Sequence, residues 1–210
     1  MTEKWPSKVV LAGRRRYPLD GRHRAARMIG EKMNSEDQAF RLWHLATTEF
    51  GCKFSDFDWA LMRLYEAFTR FVSSAGATTV SPDLKIAEHL IIHVVRMHDR
   101  PKTSATIARL MNRDDIPNIQ YSLRKLEAAG LVIKRRDKAS RQFIYAVTPL
   151  GEKLTDRYAK VRADVLLDRL KNIDGLGERL EKMAQEMALL TSFYDDAARD
   201  CSILDISASS

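Results

Sequence analysis

Cysteine is scarce in this chain of 210 residues, with only Cys52 and Cys201 present. Two cysteines cannot form the disulfide framework of a small secreted domain, which favours a reducing, cytoplasmic compartment. No run of 18 apolar residues occurs, so we expect no membrane-spanning helix and no membrane partner. The N-terminal segment lacks the apolar stretch typical of a secretory signal. With 45% hydrophobic and 30% charged residues, the composition is that of a folded globular protein.

The short motifs that accompany many enzymes are also missing. We find no glycine-rich phosphate loop, no HExxH pair, no nucleophile elbow and no CxxC. The sequence therefore predicts neither an enzymatic reaction nor a cofactor.

Positive charge is abundant, and its position is informative. The net charge is +7, and residues 101–141 carry ten Lys/Arg against four Asp/Glu. Residues 1–32 are similarly basic, whereas the segments 33–100 and 142–210 are mildly acidic. Clustering of this kind suits a polyanionic partner, although a solvated basic face would show the same pattern.

The N-terminal third predicts an arm followed by helices. Residues 1–33 show no sustained period and are expected to form a flexible basic arm, which either tracks a DNA minor groove or adds nonspecific affinity. A capping box at Ser35 predicts a helix over residues 36–50 that ends at Gly51. Ser55 is then expected to begin a second helix, and residues 34–80 together are assigned to dimerisation.

The middle of the chain, residues 81–148, predicts a small DNA-binding domain. The Ser81-Pro82 pair indicates a buried helix that runs to about His98. Thr103 is expected to cap a short helix, and Asp115 a second one that ends before Gly130. Two β-like runs, 131–133 and 143–147, flank a charged turn at 134–141 and predict a hairpin.

The C-terminal segment 149–198 predicts two further helices. Thr148-Pro149 begins the first, and Asp174-Gly175 separates it from the second. In the second helix, six apolar residues follow spacings of 4, 3, 4, 3 and 4: Leu176, Leu180, Met183, Met187, Leu190 and Tyr194. This a/d seam has no obvious cover within the chain, which predicts a homodimer. Residues 199–210 are expected to be a frayed tail.

The order short helix, turn, helix and two-stranded hairpin is that of a winged helix-turn-helix. The fold class is therefore mainly α with a small β-hairpin wing (α+β), carried on a helical dimerisation platform formed by the N- and C-terminal helices. The second helix of the motif presents amide, aromatic and basic side chains that suit the major groove, and the basic hairpin suits phosphates and the minor groove. The predicted DNA-binding residues are Thr103, Ser104, Pro117, Asn118, Gln120, Tyr121, Arg124, Lys125, Lys134, Arg135, Arg136, Lys138 and Arg141.

These residues carry a specific resemblance. The pattern Leu123-x-x-Leu126-Glu127-x-x-Gly130-Leu131-Val132, the basic wing, and Val147-Thr148-Pro149-x-Gly151 resemble the MarR family of bacterial transcription regulators. The resemblance implies a homodimer whose two winged lobes read a pseudo-palindromic operator, with Arg141 at the position of the wing arginine that enters the minor groove. The family often has an Asp two residues before this arginine, where this chain has Ala139, and Asp137 is a candidate substitute.

Several other residues admit two interpretations. His89 and His93 are four residues apart and could hold a metal ion, but helix packing explains them more simply. Cys52 could be a redox sensor or a passive small apolar residue. Trp59, Arg63 and Tyr65 could form a pocket for a small aromatic effector, as in some relatives, although a helical aromatic stripe more often belongs to a core.

The sequence thus predicts a homodimeric, sequence-specific DNA-binding transcription regulator of MarR type, a repressor whose binding a small molecule relieves. Its recognition helix covers residues 115–129, and its wing covers 134–141. The alternative is a winged-helix protein-interaction module that does not read DNA sequence. Steep salt dependence of DNA binding would favour the first hypothesis.

Overall fold

The structure, a computed structural model, describes residues 43–207 and the side chains of 43–202. The predicted arm at 1–33 and the beginning of the predicted helix at 36–50 lie outside the described residues. Two units are distinguished, whose described parts are residues 43–63 and 64–207. The elements are α1 (Glu49–Thr79), α2 (Ile86–Arg96), α3 (Ser104–Leu110), α4 (Ile116–Ala128), β1 (Val132–Arg136), β2 (Phe143–Val147), α5 (Pro149–Arg162) and α6 (Leu176–Ser207).

Helix α1 corrects the expected break at Gly51. The described residues 43–48 are not helical, and one continuous helix begins at Glu49, so Gly51 lies in its first turn. The Thr48 hydroxyl accepts a hydrogen bond from the Gly51 amide at 3.0 Å, which places the N-cap at Thr48. Ser55 does not begin a helix; its hydroxyl instead donates to the Leu45 carbonyl at 3.5 Å.

Helix α2 begins later than the Ser81-Pro82 signal predicts. It starts at Ile86, where the Lys85 amide donates to the Glu88 carboxylate at 2.9 Å. The Ser81 hydroxyl accepts from the Asp83 amide, so the cap-like residues form a local turn rather than the first turn of the helix. A 3₁₀ turn, Met97–Asp99, follows the helix.

The two helices of the helix-turn-helix motif are confirmed. The Thr103 hydroxyl accepts from the Thr106 amide at 3.1 Å at the start of α3. Asp115 is the N-cap of α4, with Pro117 in the first turn. Gly130 follows α4 at φ 69°, a conformation that glycine adopts without steric cost.

The predicted hairpin is present, with its second strand at residues 143–147 as expected, but its first strand is longer and its turn shorter than expected. Strand β1 extends to Arg136, and it pairs antiparallel with β2 from Val132↔Val147 to Arg136↔Phe143. Lys134, Arg135 and Arg136 therefore lie on a strand rather than in the turn. Lys102 and Tyr145 add a further antiparallel bridge at the outer edge of β2.

The Thr148-Pro149-x-Gly151 pattern closes the winged lobe, which is the part of the chain formed by α2, α3, α4 and the hairpin. The Thr148 hydroxyl accepts from the Gly151 amide at 3.1 Å and donates to the Gly130 carbonyl at 2.7 Å. A Cβ at Gly151 would lie 2.2 Å from the Leu131 carbonyl oxygen, so only glycine permits this approach. Helix α5 continues through a π-helical segment, Ala163–Leu167, and a last turn at Asp168–Leu170.

One hydrophobic core lies among α2, α3, α4 and the hairpin. Its members are at most 6% exposed: Ile91, Ile92, Val95, Ile107, Ala108, Ile119, Leu123, Leu126, Leu131, Val132 and Tyr145. The expected inward face of α4, with Ile119, Leu123 and Leu126, is confirmed. The lobe therefore closes its own core within one chain.

Helix α6 differs, because its apolar seam is open. Leu180, Met183 and Tyr194 are 41–49% exposed, and Gly175, at φ 63°, precedes the helix as predicted. The expected frayed tail from residue 199 is corrected, since α6 continues to Ser207. In the described part of the chain, no helix has the length and apolar content needed to cross a membrane.

Candidate nucleic-acid interface

The outer face of α4 is open to solvent. Pro117, Asn118, Gln120, Tyr121 and Arg124 are exposed on the side opposite the core. Because buried residues Ile119, Leu123 and Leu126 fix the inner face, the helical period places this polar set outward. The face offers two amides, one phenol and one guanidinium, which are groups that can contact base edges.

A cleft of about 390 Å³ joins this face to the other elements of the motif. Its lining includes six of the predicted DNA-binding residues: Thr103, Ser104, Gln120, Arg124, Lys134 and Arg141. They come from the start of α3, from α4 and from both sides of the wing. Residues that are up to 38 positions apart in sequence thus share one concave, basic surface.

The wing is held by local hydrogen bonds. The Asp137 carboxylate accepts from the Ser140 amide at 2.8 Å and from the Ser140 hydroxyl at 2.6 Å, and the bonds from Ser140 lower the pKa of this carboxyl. The Arg136 Nε donates to the Arg141 carbonyl at 3.3 Å. Asp137 therefore orders the turn by binding Ser140 and not the Arg141 side chain. Arg141 lies in the same turn and has φ 58°.

An aromatic contact that the sequence did not indicate also lies on the wing. The Lys134 ammonium sits 4.0 Å from the centroid of the exposed Phe143 ring. Lys134 pairs with Tyr145 across the hairpin, so Phe143 is its diagonal neighbour on the same face. This cation–π contact restrains the lysine beside the cleft. Arg135 and Lys138 are exposed on the wing.

Lys125 has a different environment from the other predicted residues. It is half-buried, and its ammonium lies 3.6 Å from the Glu88 carboxylate and 4.8 Å from the Tyr121 ring centroid. Glu88 is 2% exposed and also accepts from the Ser122 hydroxyl at 3.0 Å. This buried network joins α2 to α4 and fixes α4 in the lobe, a role that the charge pattern alone did not reveal.

Two further polar residues organise the lobe, and sequence reasoning missed both. The Lys102 ammonium donates to the carbonyls of Val95 and Met97 and, at 2.8 Å, to that of Arg100. It caps the end of α2, and its burial lowers its pKa. The Arg113 guanidinium binds both carboxylate oxygens of Asp115, at 3.1 and 2.5 Å. An isolated basic residue in a turn gives no sequence signal for such contacts.

His89 and His93 are packing residues in this structure. His89 is 1% exposed, and a Cβ at Gly76 would lie 2.5 Å from its ring, so α1 and α2 meet closely there. The His93 ring lies 4.3 Å from the Tyr158 ring. Burial lowers the pKa of both imidazoles, that of His93 to about 4. The described residues contain no group of three or more ligands for a metal ion.

The proposed effector residues are divided between the two units. Trp59 stacks on Trp43 with ring centroids 6.3 Å apart, and Arg63 is exposed in the same unit. Tyr65 belongs to the other unit, where it lines a shallow depression with Arg70. The Cys52 thiol, also named as a sensor candidate, is half-buried and donates to the Ala46 carbonyl at 3.7 Å.

Comparison with known proteins agrees with this geometry. Residues 84–151 match the family model described as a winged helix DNA-binding domain. The chain has no significant sequence match among curated proteins.

Solved structures share the fold over about two-thirds of the chain. A MarR-family transcriptional regulator from Rhodococcus sp. RHA1 is 22% identical, with 64% of this chain and 93% of that one covered and a TM-score of 0.53. Streptococcus pneumoniae FabT in complex with DNA is 14% identical, with coverages of 68% and 98% and a TM-score of 0.54. CouR from Rhodococcus jostii RHA1, bound to p-coumaroyl-CoA, is 19% identical, with coverages of 63% and 92% and a TM-score of 0.51. The winged helix fold of MarR-type structures, expected from the sequence, is confirmed.

Proposed function

We propose that this chain, whose residues 84–151 form a winged helix DNA-binding domain within a MarR-type fold, is a homodimeric, sequence-specific transcription regulator of the cytoplasm. The observation that carries the proposal is the basic cleft in which α3, α4 and the wing meet. Gln120 and Arg124 face it from the helix, and Lys134 and Arg141 face it from the hairpin.

The two parts of the cleft have separate tasks in this proposal. The exposed face of α4 enters the major groove, where the Gln120 amide and the Arg124 guanidinium read base edges. The wing lies over the adjacent backbone, and Arg141 reaches the minor groove. Asn118 donates to the Asp115 carboxylate at 3.1 Å, so its amide enters the interface already oriented.

The homodimer is supported by the open seam of α6. Leu180, Met183 and Tyr194 expose 41–49% of their surface on one helical face. An apolar stripe of this length is costly in water and is covered when two copies pair. A symmetric dimer would place two recognition helices about 34 Å apart, which matches half-sites one DNA turn from each other.

The test is binding to genomic-fragment DNA in excess competitor, at two salt concentrations. The chain should select saturable sites, and affinity should fall steeply with salt because phosphate contacts release counterions. Arg124→Ala should lose about 1–3 kcal/mol of discrimination at one base position per half-site. Arg109→Ala, a matched control on α3 outside the cleft, should leave base preference unchanged.

Two results separate this proposal from the alternative of a protein-interaction module. Binding without site selection, or binding that does not depend on salt, would contradict sequence-specific regulation. A recognition surface for a protein partner would also tolerate Arg124→Ala without any change in DNA preference.

We further propose that the regulator is a repressor and that a small aromatic molecule relieves its DNA binding. CouR, which shares the fold, was solved with p-coumaroyl-CoA. In this chain, Tyr65, Glu66 and Arg70 line one depression. The Tyr65 ring face would stack on an aromatic carboxylate. That carboxylate would compete for the Arg70 guanidinium with Glu66, which lies 3.7 Å from the guanidinium. Thermal-shift titration with simple aromatic carboxylates should show stabilisation that Tyr65→Ala removes and Tyr121→Ala keeps. Stabilisation that is equal in both variants would place the effector elsewhere.

A further inference from the structure

A polar contact joins helix α6 to the helix-turn-helix motif. The Asn112 side-chain amide donates to both carboxylate oxygens of Asp195, at 3.2 and 3.3 Å. The two residues are 83 positions apart in sequence. Asn112 lies in the turn between α3 and α4, so the contact joins the C-terminal helix directly to the turn that sets the recognition helix.

Around this contact the two elements stand apart. A cleft of about 650 Å³ separates them, and its walls carry the small side chains of Ala105, Ala108 and Ala198 together with Ile116. Helix α6 makes few close contacts with α3 and α4, and the amide–carboxylate pair crosses the cleft between them. A closely packed interface would fix the angle between α6 and the lobe by itself. Here the angle depends strongly on this hydrogen bond.

From Asn112, a chain of polar contacts reaches the DNA-facing side of α4. Arg113, the next residue, binds the Asp115 carboxylate through two nitrogens, and Asp115 accepts from the Asn118 amide at 3.1 Å. These bonds hold the pKa of Asp115 below its usual range, with Arg113 as the main cause. The Arg113 amide also donates to the Ala108 carbonyl at 2.9 Å. The peptide bond from Asn112 to Arg113 and these hydrogen bonds thus connect Asn112 to the N-terminus of α4.

We propose that Asp195 and Asn112 are positioning residues that determine which half-site spacing the dimer accepts. The inference rests on the proposed function, because it requires two lobes carried by paired α6 helices. Each Asp195–Asn112 contact fixes one lobe against its own α6, and the two contacts together set the separation and tilt of the recognition helices. Loss of the contact leaves each lobe able to read its half-site but widens the range of spacings tolerated.

The backbone conformation of Asn112 makes a selective substitution possible. Asn112 has φ 51°, which strains most substitutions, whereas Asn112→Gly keeps this conformation and removes only the amide. Asp195→Ala removes the acceptor, and Asp195→Asn keeps an acceptor oxygen and should rescue most of the effect. Asp200→Asn, an exposed change on the same helix, is the matched control.

Two measurements are made on the full-length chain. The first compares two operators, one with the preferred half-site spacing and one whose spacing differs by one base pair. The quantity measured is the ratio of the affinity for the first operator to the affinity for the second. It should fall about threefold in Asn112→Gly and Asp195→Ala, the size expected for an exposed charge-assisted hydrogen bond. The second is the electron–electron distance within one chain, between nitroxides at Glu127→Cys on α4 and Gln185→Cys on α6. Native cysteines are replaced by serine, and labelled chains are diluted with unlabelled ones.

The distance distribution should broaden in both variants and stay narrow in Asp195→Asn and Asp200→Asn. An unchanged distribution overturns the structural part of the inference, and a broadened distribution with unchanged spacing preference overturns its role in specificity. The intrachain distance does not depend on DNA. If the wild-type chain selects no DNA site at all, the proposed function fails first, and the distance measurement still reports whether the contact holds the lobe.

Discussion

The winged lobe and helix α6 use apolar residues in opposite ways. In the lobe, the inner face of α4 is fully covered, with Ile119, Leu123 and Leu126 all 0% exposed. In α6, a regular apolar seam leaves Leu180 and Met183 about half exposed. The same helical periodicity therefore accompanies a buried apolar face in α4 and a solvent-exposed apolar face in α6. A sequence pattern shows that a face will be covered, but the structure shows whether the chain covers it itself.

The largest expected effect concerns the lobe's core. Leu123→Ala should lower the free energy of unfolding by about 3 kcal/mol, because it opens a cavity at a site with no access to solvent. Leu180→Ala on α6 should change the unfolding of the lobe by less than about 0.5 kcal/mol. Urea denaturation followed by circular dichroism measures both, and equal losses would mean that the two regions do not differ as described.

The buried link between α2 and α4 should have the next largest effect. Ser122→Ala removes a hydrogen bond to the buried Glu88 carboxylate and should cost about 2 kcal/mol of folding free energy. In a double-mutant cycle, Glu88→Gln should reduce this cost, because an uncharged acceptor tolerates the missing donor better. Additive effects of the two substitutions would show that the pair does not act as a unit.

The lobe should also lose stability as the pH falls. Burial lowers the pKa of His93 to about 4, whereas the unfolded chain takes up this proton near pH 6.5. The contribution of neutral His93 to the free energy of unfolding is therefore fully present above about pH 6.5 and is lost as the pH falls toward 4. A pKa difference of this size corresponds to about 3 kcal/mol in full. Because the His93 ring is only partly buried and solvent screens its charge, we expect a total change of about 2 kcal/mol.

Denaturation at several pH values checks this expectation. His93→Gln should flatten the dependence of unfolding free energy on pH. His98→Asn is the matched control, since His98 is exposed at φ 60°, a conformation that asparagine tolerates. A slope that survives His93→Gln would assign the effect to another group.

The smallest effect belongs to the wing. Phe143→Leu removes the aromatic ring beneath the Lys134 ammonium and should weaken the hairpin by about 0.5 kcal/mol, the value of an exposed cation–π contact. Local amide hydrogen exchange in β1 and β2 measures the change. Leu150→Ala, an exposed substitution beyond the hairpin, should leave exchange in the wing unaltered.

Local sequence signals predicted the lobe best. Thr103, Asp115 and Thr148 mark helix starts, Gly130 marks a helix end, and Gly175 marks the break before α6; each of these positions is confirmed. Signals of the same kind were wrong at Gly51 and Ser81. Gly51 is tolerated inside α1 because its amide is satisfied by Thr48, and Ser81 forms a turn before the helix.

The candidate site could be predicted only in part. The helical period identified the exposed face of α4, and charge identified the wing. The buried partner of Lys125 and the contact between Asn112 and Asp195 join residues 37 and 83 positions apart. Contacts of this separation depend on the tertiary fold and leave no periodic trace in one sequence.

The measurement that tests the central claim most directly is sedimentation of the chain beside its Leu180→Glu/Met183→Glu variant, with and without operator DNA. The wild-type chain should be a dimer that binds DNA as a dimer. The variant should be a monomer with an unchanged lobe melting temperature and at least about 100-fold weaker specific binding, because two half-sites are no longer linked. On this view, the lobe covers its own core, and the apolar seam of α6 is covered by a second copy of the chain. A monomeric wild-type chain, or a monomeric variant that binds the operator equally well, would contradict it.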